Sequence, residues 1–68
     1  MRKFEIRLAK QQCENRAHLE NLYRFIDSGR VDELPQEQAD LMMEQAKAML
    51  ALDRILRRRM ELLGLPCR

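Results

Sequence analysis

Glycine and proline occur in only two short windows of this 68-residue chain, Gly29 with Pro35 and Gly64 with Pro66. Everything between them is free of residues that break a helix. Ser28-Gly29 reads as a helix end, with Gly29 suited to the left-handed position just past the last turn. Pro35 fits the first position of a second helix, where its fixed φ suits the turn and its missing N–H costs nothing. Asp32, Glu33 and Glu37 place negative charge at that N-terminus, complementing the helix dipole, and Gly64-Leu65-Pro66 ends the segment. The spacing therefore predicts one hairpin domain over 1–68: helix 3–27, corner 28–34, helix 35–63 and tail 64–68. The fold class is all-α, an antiparallel two-helix hairpin.

The apolar pattern gives each helix a face. In the first, Phe4, Leu8, Leu19, Leu22, Tyr23 and Ile26 share an arc of about 100°. Gln12 and Asn15 lie in the same arc, and Ile6, Ala9, Cys13 and Ala17 form a smaller edge. The second helix is more apolar than a hairpin needs. Met42, Met49, Leu52, Leu56, Met60 and Leu63 make one stripe containing Gln45 and Arg59, widened by Ala48, Ala51, Ile55 and Leu62. Ala39, Met43, Ala46 and Leu50 make a second stripe on another face. One partner helix cannot cover both, so the expectation is a homo-oligomer, most simply a dimer forming a four-helix bundle. The expected interface is Ala39, Met43, Ala46 and Leu50 with Met42 and Met49. The methionines could also form an adaptable binding groove, although methionine at helical spacing reads first as core.

Size supports association. A chain of this mass buries only roughly 60% of its unfolded surface, and small domains usually need a disulfide, a metal or a partner subunit. Cys13 in the first helix and Cys67 in the tail are many turns apart in a hairpin, which disfavours a bridge. Cys13 reads as a small core residue and Cys67 as an exposed thiol. His18 is the sole histidine and shares no face with Cys13, so no metal site is expected.

Composition removes most enzyme chemistry. The chain has one Ser and no Thr, and it offers no Gly-rich phosphate loop. No carboxylate pair falls in an apolar pocket where its pKa could be tuned for acid–base work. Neither catalysis nor a cofactor is expected.

Charge is segregated. Nine basic and two acidic residues within 1–10 and 54–68 give +7, whereas one basic and six acidic residues within 31–53 give −5. A hairpin brings the two basic segments to its open end. There Arg7, Lys10, Arg54, Arg57 and Arg58 are candidates for an anion site, taking a nucleotide, a nucleic acid or an acidic protein surface. The plainer expectation is a solvated helix end, laced by Asp53–Arg57 and Arg57–Glu61 pairs at i,i+4. Nucleic acid is the weaker ligand, because no helix-turn-helix spacing precedes the arginines. Tyr23 and Phe25 also lie towards the opposite end.

Gln12 and Asn15 should lie opposite Met49 and Leu52, with Gln45 nearer the corner. They are expected at edge positions reaching water; the alternative is a buried polar layer fixing register. No apolar run approaches the length of a membrane span, and the N-terminus lacks the apolar segment of a signal peptide. A cytoplasmic protein without membrane contact is expected.

The pattern Leu22-x-x-Phe25-Ile26-x-Ser28, Leu34-Pro35-x-Glu37-Gln38-x-x-Leu41, Gln45 and Met49 resembles that of small hairpin accessory proteins of tailed bacteriophages, lambda-like and crAss-like phages included. The likeness covers about residues 5–63. It implies an α-helical, oligomeric protein acting in the host cytoplasm on a host protein or a defence signal. The function expected first is a self-associating accessory protein that binds or modulates a host protein through the second stripe of the second helix or the basic open end; the alternative is a binder of an anionic ligand. A more distant likeness is to hairpin proteins that sequester cyclic-nucleotide immune signals; none of their ligand-binding residues can be matched to positions in this chain.

Overall fold

The computed structural model describes residues 2–67; Met1 and Arg68, which the sequence places in the hairpin domain and its basic end, lie outside the described residues. Helix α1 runs Lys3–Asp27 and helix α2 runs Gln36–Leu62, joined by a 3₁₀ turn over Arg30–Glu33. There is no strand among the described residues. The helices pack antiparallel into a rod of 45 × 16 × 16 Å. α1 has the predicted bounds, while α2 starts one residue later than expected: Pro35 is its N-cap, not its first helical residue. The Pro35 carbonyl still accepts the Ala39 N–H at 3.0 Å, opening the helical ladder.

Both helix ends close as their glycines require. Gly29 has φ +80° and Gly64 φ +70°, a region closed to most side chains. At the end of α2, Leu65 N–H donates to the Met60 carbonyl (2.9 Å) and Gly64 N–H to the Glu61 carbonyl (3.0 Å), the paired pattern of a Schellman cap. That turn swings Leu65 back onto the apolar cluster of Leu8, Leu56 and Met60. At the corner, the Ser28 hydroxyl donates to the Phe25 carbonyl (2.7 Å) and accepts from Arg30 N–H (3.3 Å). The Arg30 guanidinium lies 5.7 Å from the centre of the Phe25 ring, within cation–π range.

The interior has three parts. Leu8, Leu56 and Met60 fill the open end, and Leu19 and Ala46 are buried towards the corner. Between them lies a polar layer of Gln12, Asn15 and Asp53, all buried. This corrects the expectation for two residues: Gln12 and Asn15 are interior, not edge positions, because each has a hydrogen-bond partner across the hairpin. Gln45 is exposed, as expected. Asp53 differs as well. Instead of lying on the solvated face beside Arg57, its carboxylate turns inward to meet α1.

Phe4 and Tyr23, expected in the core arc of α1, are exposed near its two ends. Leu52, Ile55, Leu62 and Leu63, expected in the core stripe of α2, are exposed too. A single partner helix covers only a narrow strip of a helix surface, and α1 covers the strip through Ala46, Asp53, Leu56 and Met60.

Candidate functional site

Antiparallel packing sets the N-terminal turns of α1 beside the C-terminal turns of α2. Leu8 clusters with Leu56 and Met60, so Lys3, Arg7 and Lys10 share the open end with Arg54, Arg57 and Arg58. The plain expectation for these residues was neutralisation along each helix, and this occurs only in part. Lys10 lies 3.9 Å from Glu14 and Arg58 lies 3.3 Å from Glu61, both in exposed pairs. Exposed pairs of this kind contribute only about 0–1 kcal/mol. Among the described residues, Lys3, Arg7, Arg54 and Arg59 make no ion pair.

Position along each helix distinguishes the two basic groups. The arginines of α2 stand at a C-terminus, where the dipole favours positive charge. In α1 only Lys3 stands in the first turn, where a cation is disfavoured by about 0.3–1 kcal/mol; Arg7 and Lys10 lie beyond it. Glu5 is the only acidic residue in that first turn, and no side chain caps it. A wide-mouthed depression of about 510 Å³ opens here, lined by Lys3, Ile6 and Arg7. Such a site has unpaired cations, uncapped backbone N–H groups and room for a small ligand. Lys3 and Arg7 give it positive charge, while most of its lining surface is apolar.

The six residues of the expected interface do not form one exposed face. Ala46 is buried within the hairpin, Ala39, Met42, Met49 and Leu50 are half-buried beside it, and Met43 alone is exposed. The stripe therefore largely serves the intramolecular contact. Cys13 is half-buried and Cys67 exposed, both as free thiols; the Cys67 Sγ lies 3.7 Å from the Arg57 carbonyl oxygen. Among the described residues, no group of three or more His, Cys, Asp or Glu could hold a metal ion. No helix among them is long and apolar enough to cross a membrane.

Sequence reasoning missed one residue of consequence, Asp53. It accepts from Gln12 Nε2 (3.2 Å) at one carboxylate oxygen, and the other lies 3.4 Å from Arg16 Nη1. Arg16 Nε also reaches Glu20 at 3.3 Å, so the guanidinium bridges an interior carboxylate and a surface one. The available signal was the face: Asp53 occupies the same side of α2 as Ala46 and Met60.

The family model described as Sequestin matches residues 3–62. This chain belongs to the Sequestin family. The match spans both helices and the corner, so the entire hairpin is the family's unit. Neither a curated protein nor a solved structure matches the chain. The name Sequestin fits a small binding protein that sequesters a partner.

Proposed function

We propose that this member of the family is a non-enzymatic sequestering protein of phage type, working as an assembly of more than one copy and holding an anionic ligand at its basic open end. The ligand class is a nucleotide or similar phosphate-bearing small molecule, such as a host immune signal. One observation carries this reading: Lys3 and Arg7, which make no ion pair, flank an open depression of about 510 Å³ at the start of α1. On α2, Arg54, Arg57 and Arg58 belong to the same basic end of the hairpin, outside the depression itself, and would add guanidinium donors suited to phosphate. The host cytoplasm, where such signals arise, is the corresponding location.

Calorimetry against a panel of linear and cyclic nucleotides tests the proposal. Binding should be lost in the Arg7→Ala/Arg54→Ala double variant, and ligand recovered after heat denaturation should be chemically intact. A consumed ligand would make the protein an enzyme. No binding by any nucleotide would favour a second reading, in which the protein captures a host protein through its exposed apolar residues. The exposure of Ile6, Leu41, Ile55 and Leu62 is the observation that favours that alternative.

A further inference from the structure

The exposed side of α2 carries a regular seam. Leu41, Ala48, Leu52, Ile55 and Leu62 fall on one line, with Gln45 and Arg59 completing it, so that successive members alternate four and three residues apart. That is the heptad spacing at which two helices interlock. The side chains are open to solvent: Leu41 is 57% exposed, Leu52 37%, Ile55 58% and Leu62 70%. α1 lies on another side of the helix, so the hairpin leaves this line uncovered.

Charge along the same helix selects what could cover it. The first half of α2 carries Glu37, Asp40 and Glu44 against Lys47, and the second half carries Arg54 and Arg57–Arg59 against the buried Asp53 and Glu61, which pairs with Arg58. A parallel copy would set arginines against arginines and carboxylates against carboxylates. An antiparallel copy sets each half against its opposite.

We propose that this seam docks a second copy of the chain, the two α2 helices pairing antiparallel about a two-fold axis level with residue 50 and flanked by Ala51. The inference rests on the reading that the protein works as an assembly, and it moves the contact away from the half-buried stripe around Ala46. In this register Ala48 packs on the partner's Leu52, Gln45 on the partner's Ile55, and Leu41 on the stem of the partner's Arg59. The flanking positions then bring Glu44 opposite the partner's Arg58, twice by symmetry. The polar Gln45 and Arg59 within an otherwise apolar line restrict the register, as single polar residues do in other helix pairs. The two basic open ends come to lie at opposite poles of the assembly.

Sedimentation of the full chain over a concentration series tests this, with circular dichroism following helix content. The wild type should be a dimer. Ile55→Glu and Leu62→Glu should shift it to monomer, and neither touches the buried interior. Glu44→Arg and Arg58→Glu should each weaken the dimer about threefold to tenfold, and the double swap should restore it. Restoration occurs only if the two residues face each other across the axis, which a parallel pair does not allow. A wild-type monomer at all concentrations would overturn both this docking and the assembly reading. A dimer indifferent to Ile55→Glu would overturn this surface alone, and failure of the double swap would overturn the antiparallel register.

Discussion

The Gln12 side-chain amide donates to Asp53 Oδ1 at 3.2 Å, joining the two helices through their buried middle. Asn15 reinforces the contact, its Nδ2 donating to the Met49 carbonyl at 3.0 Å. No buried side-chain nitrogen or oxygen among the described residues lacks a partner. A fully satisfied layer costs little and specifies much. Sliding the helices by one turn would strand Asp53 against apolar side chains, and an unpaired buried carboxylate is expensive. The apolar clusters on either side supply cohesion, and the polar layer supplies register.

That division predicts non-additive mutational costs. Asp53→Leu should destabilise the hairpin by about 2 kcal/mol, because the Gln12 amide and the Arg16 guanidinium both lose the carboxylate they share. Gln12→Leu should cost a similar amount by leaving the carboxylate with Arg16 alone. The double variant Gln12→Leu/Asp53→Leu should cost less than the two single changes together, since apolar groups then face each other. Urea denaturation of the four proteins at one protein concentration checks this; strict additivity would mean the two residues do not act as a pair.

The apolar interior should be sensitive because so little of it exists. Leu19 is fully buried, and Leu19→Ala should cost about 2–5 kcal/mol. Small domains have little more than that in reserve, so the variant should be largely unfolded at ordinary temperature. Leu62→Ala, at an exposed site, should change hairpin stability by no more than about 0.5 kcal/mol when measured below the concentration at which the protein associates. Thermal melts of both variants give the comparison.

The helices were legible because their limits are chemical. Gly29 and Gly64 take a positive φ that other residues adopt at a cost, Pro35 opens the second helix, and the structure departs from the expected limits by a single residue at each end of α2. The faces were less legible. α2 is apolar over most of its circumference, so periodicity alone does not choose between the strip through Ala46 and Met60 and the line through Leu41 and Ile55. The choice depends on where α1 lies, which is a tertiary fact. The same holds for Asp53. Within its own helix it is a plausible partner for Arg57, and only the arrival of Gln12 and Arg16 from α1 draws it inward. For the candidate ligand site, segregated charge was visible in the sequence, but the depression beside Lys3 and Arg7 was not.

Gly64 should be hard to replace although nothing crowds it. A Cβ built there would meet no atom within 4 Å, so any cost of Gly64→Ala comes from its φ of +70°. That cost is about 1–2 kcal/mol for an alanine held left-handed. If the variant relaxes instead, the Leu65 N–H loses its bond to the Met60 carbonyl and Leu65 leaves the open-end cluster. Either way the melting temperature should fall by about 4–8 °C for each kcal/mol lost in a domain this small.

Salt dependence should separate the two kinds of contact in this molecule. Ligand binding at Lys3, Arg7 and the α2 arginines is an attraction between exposed charges, which weakens as the screening length shrinks from about 30 Å at 0.01 M to about 8 Å at 0.15 M ionic strength. Pairing through Leu41, Leu52 and Ile55 is apolar burial, which salt leaves largely unchanged, apart from the flanking Glu44–Arg58 contribution. Nucleotide affinity measured by calorimetry should therefore fall severalfold over that salt range, while the dimer dissociation constant from sedimentation should move much less. Equal sensitivity of both would mean that charge, not the apolar seam, holds the two copies together.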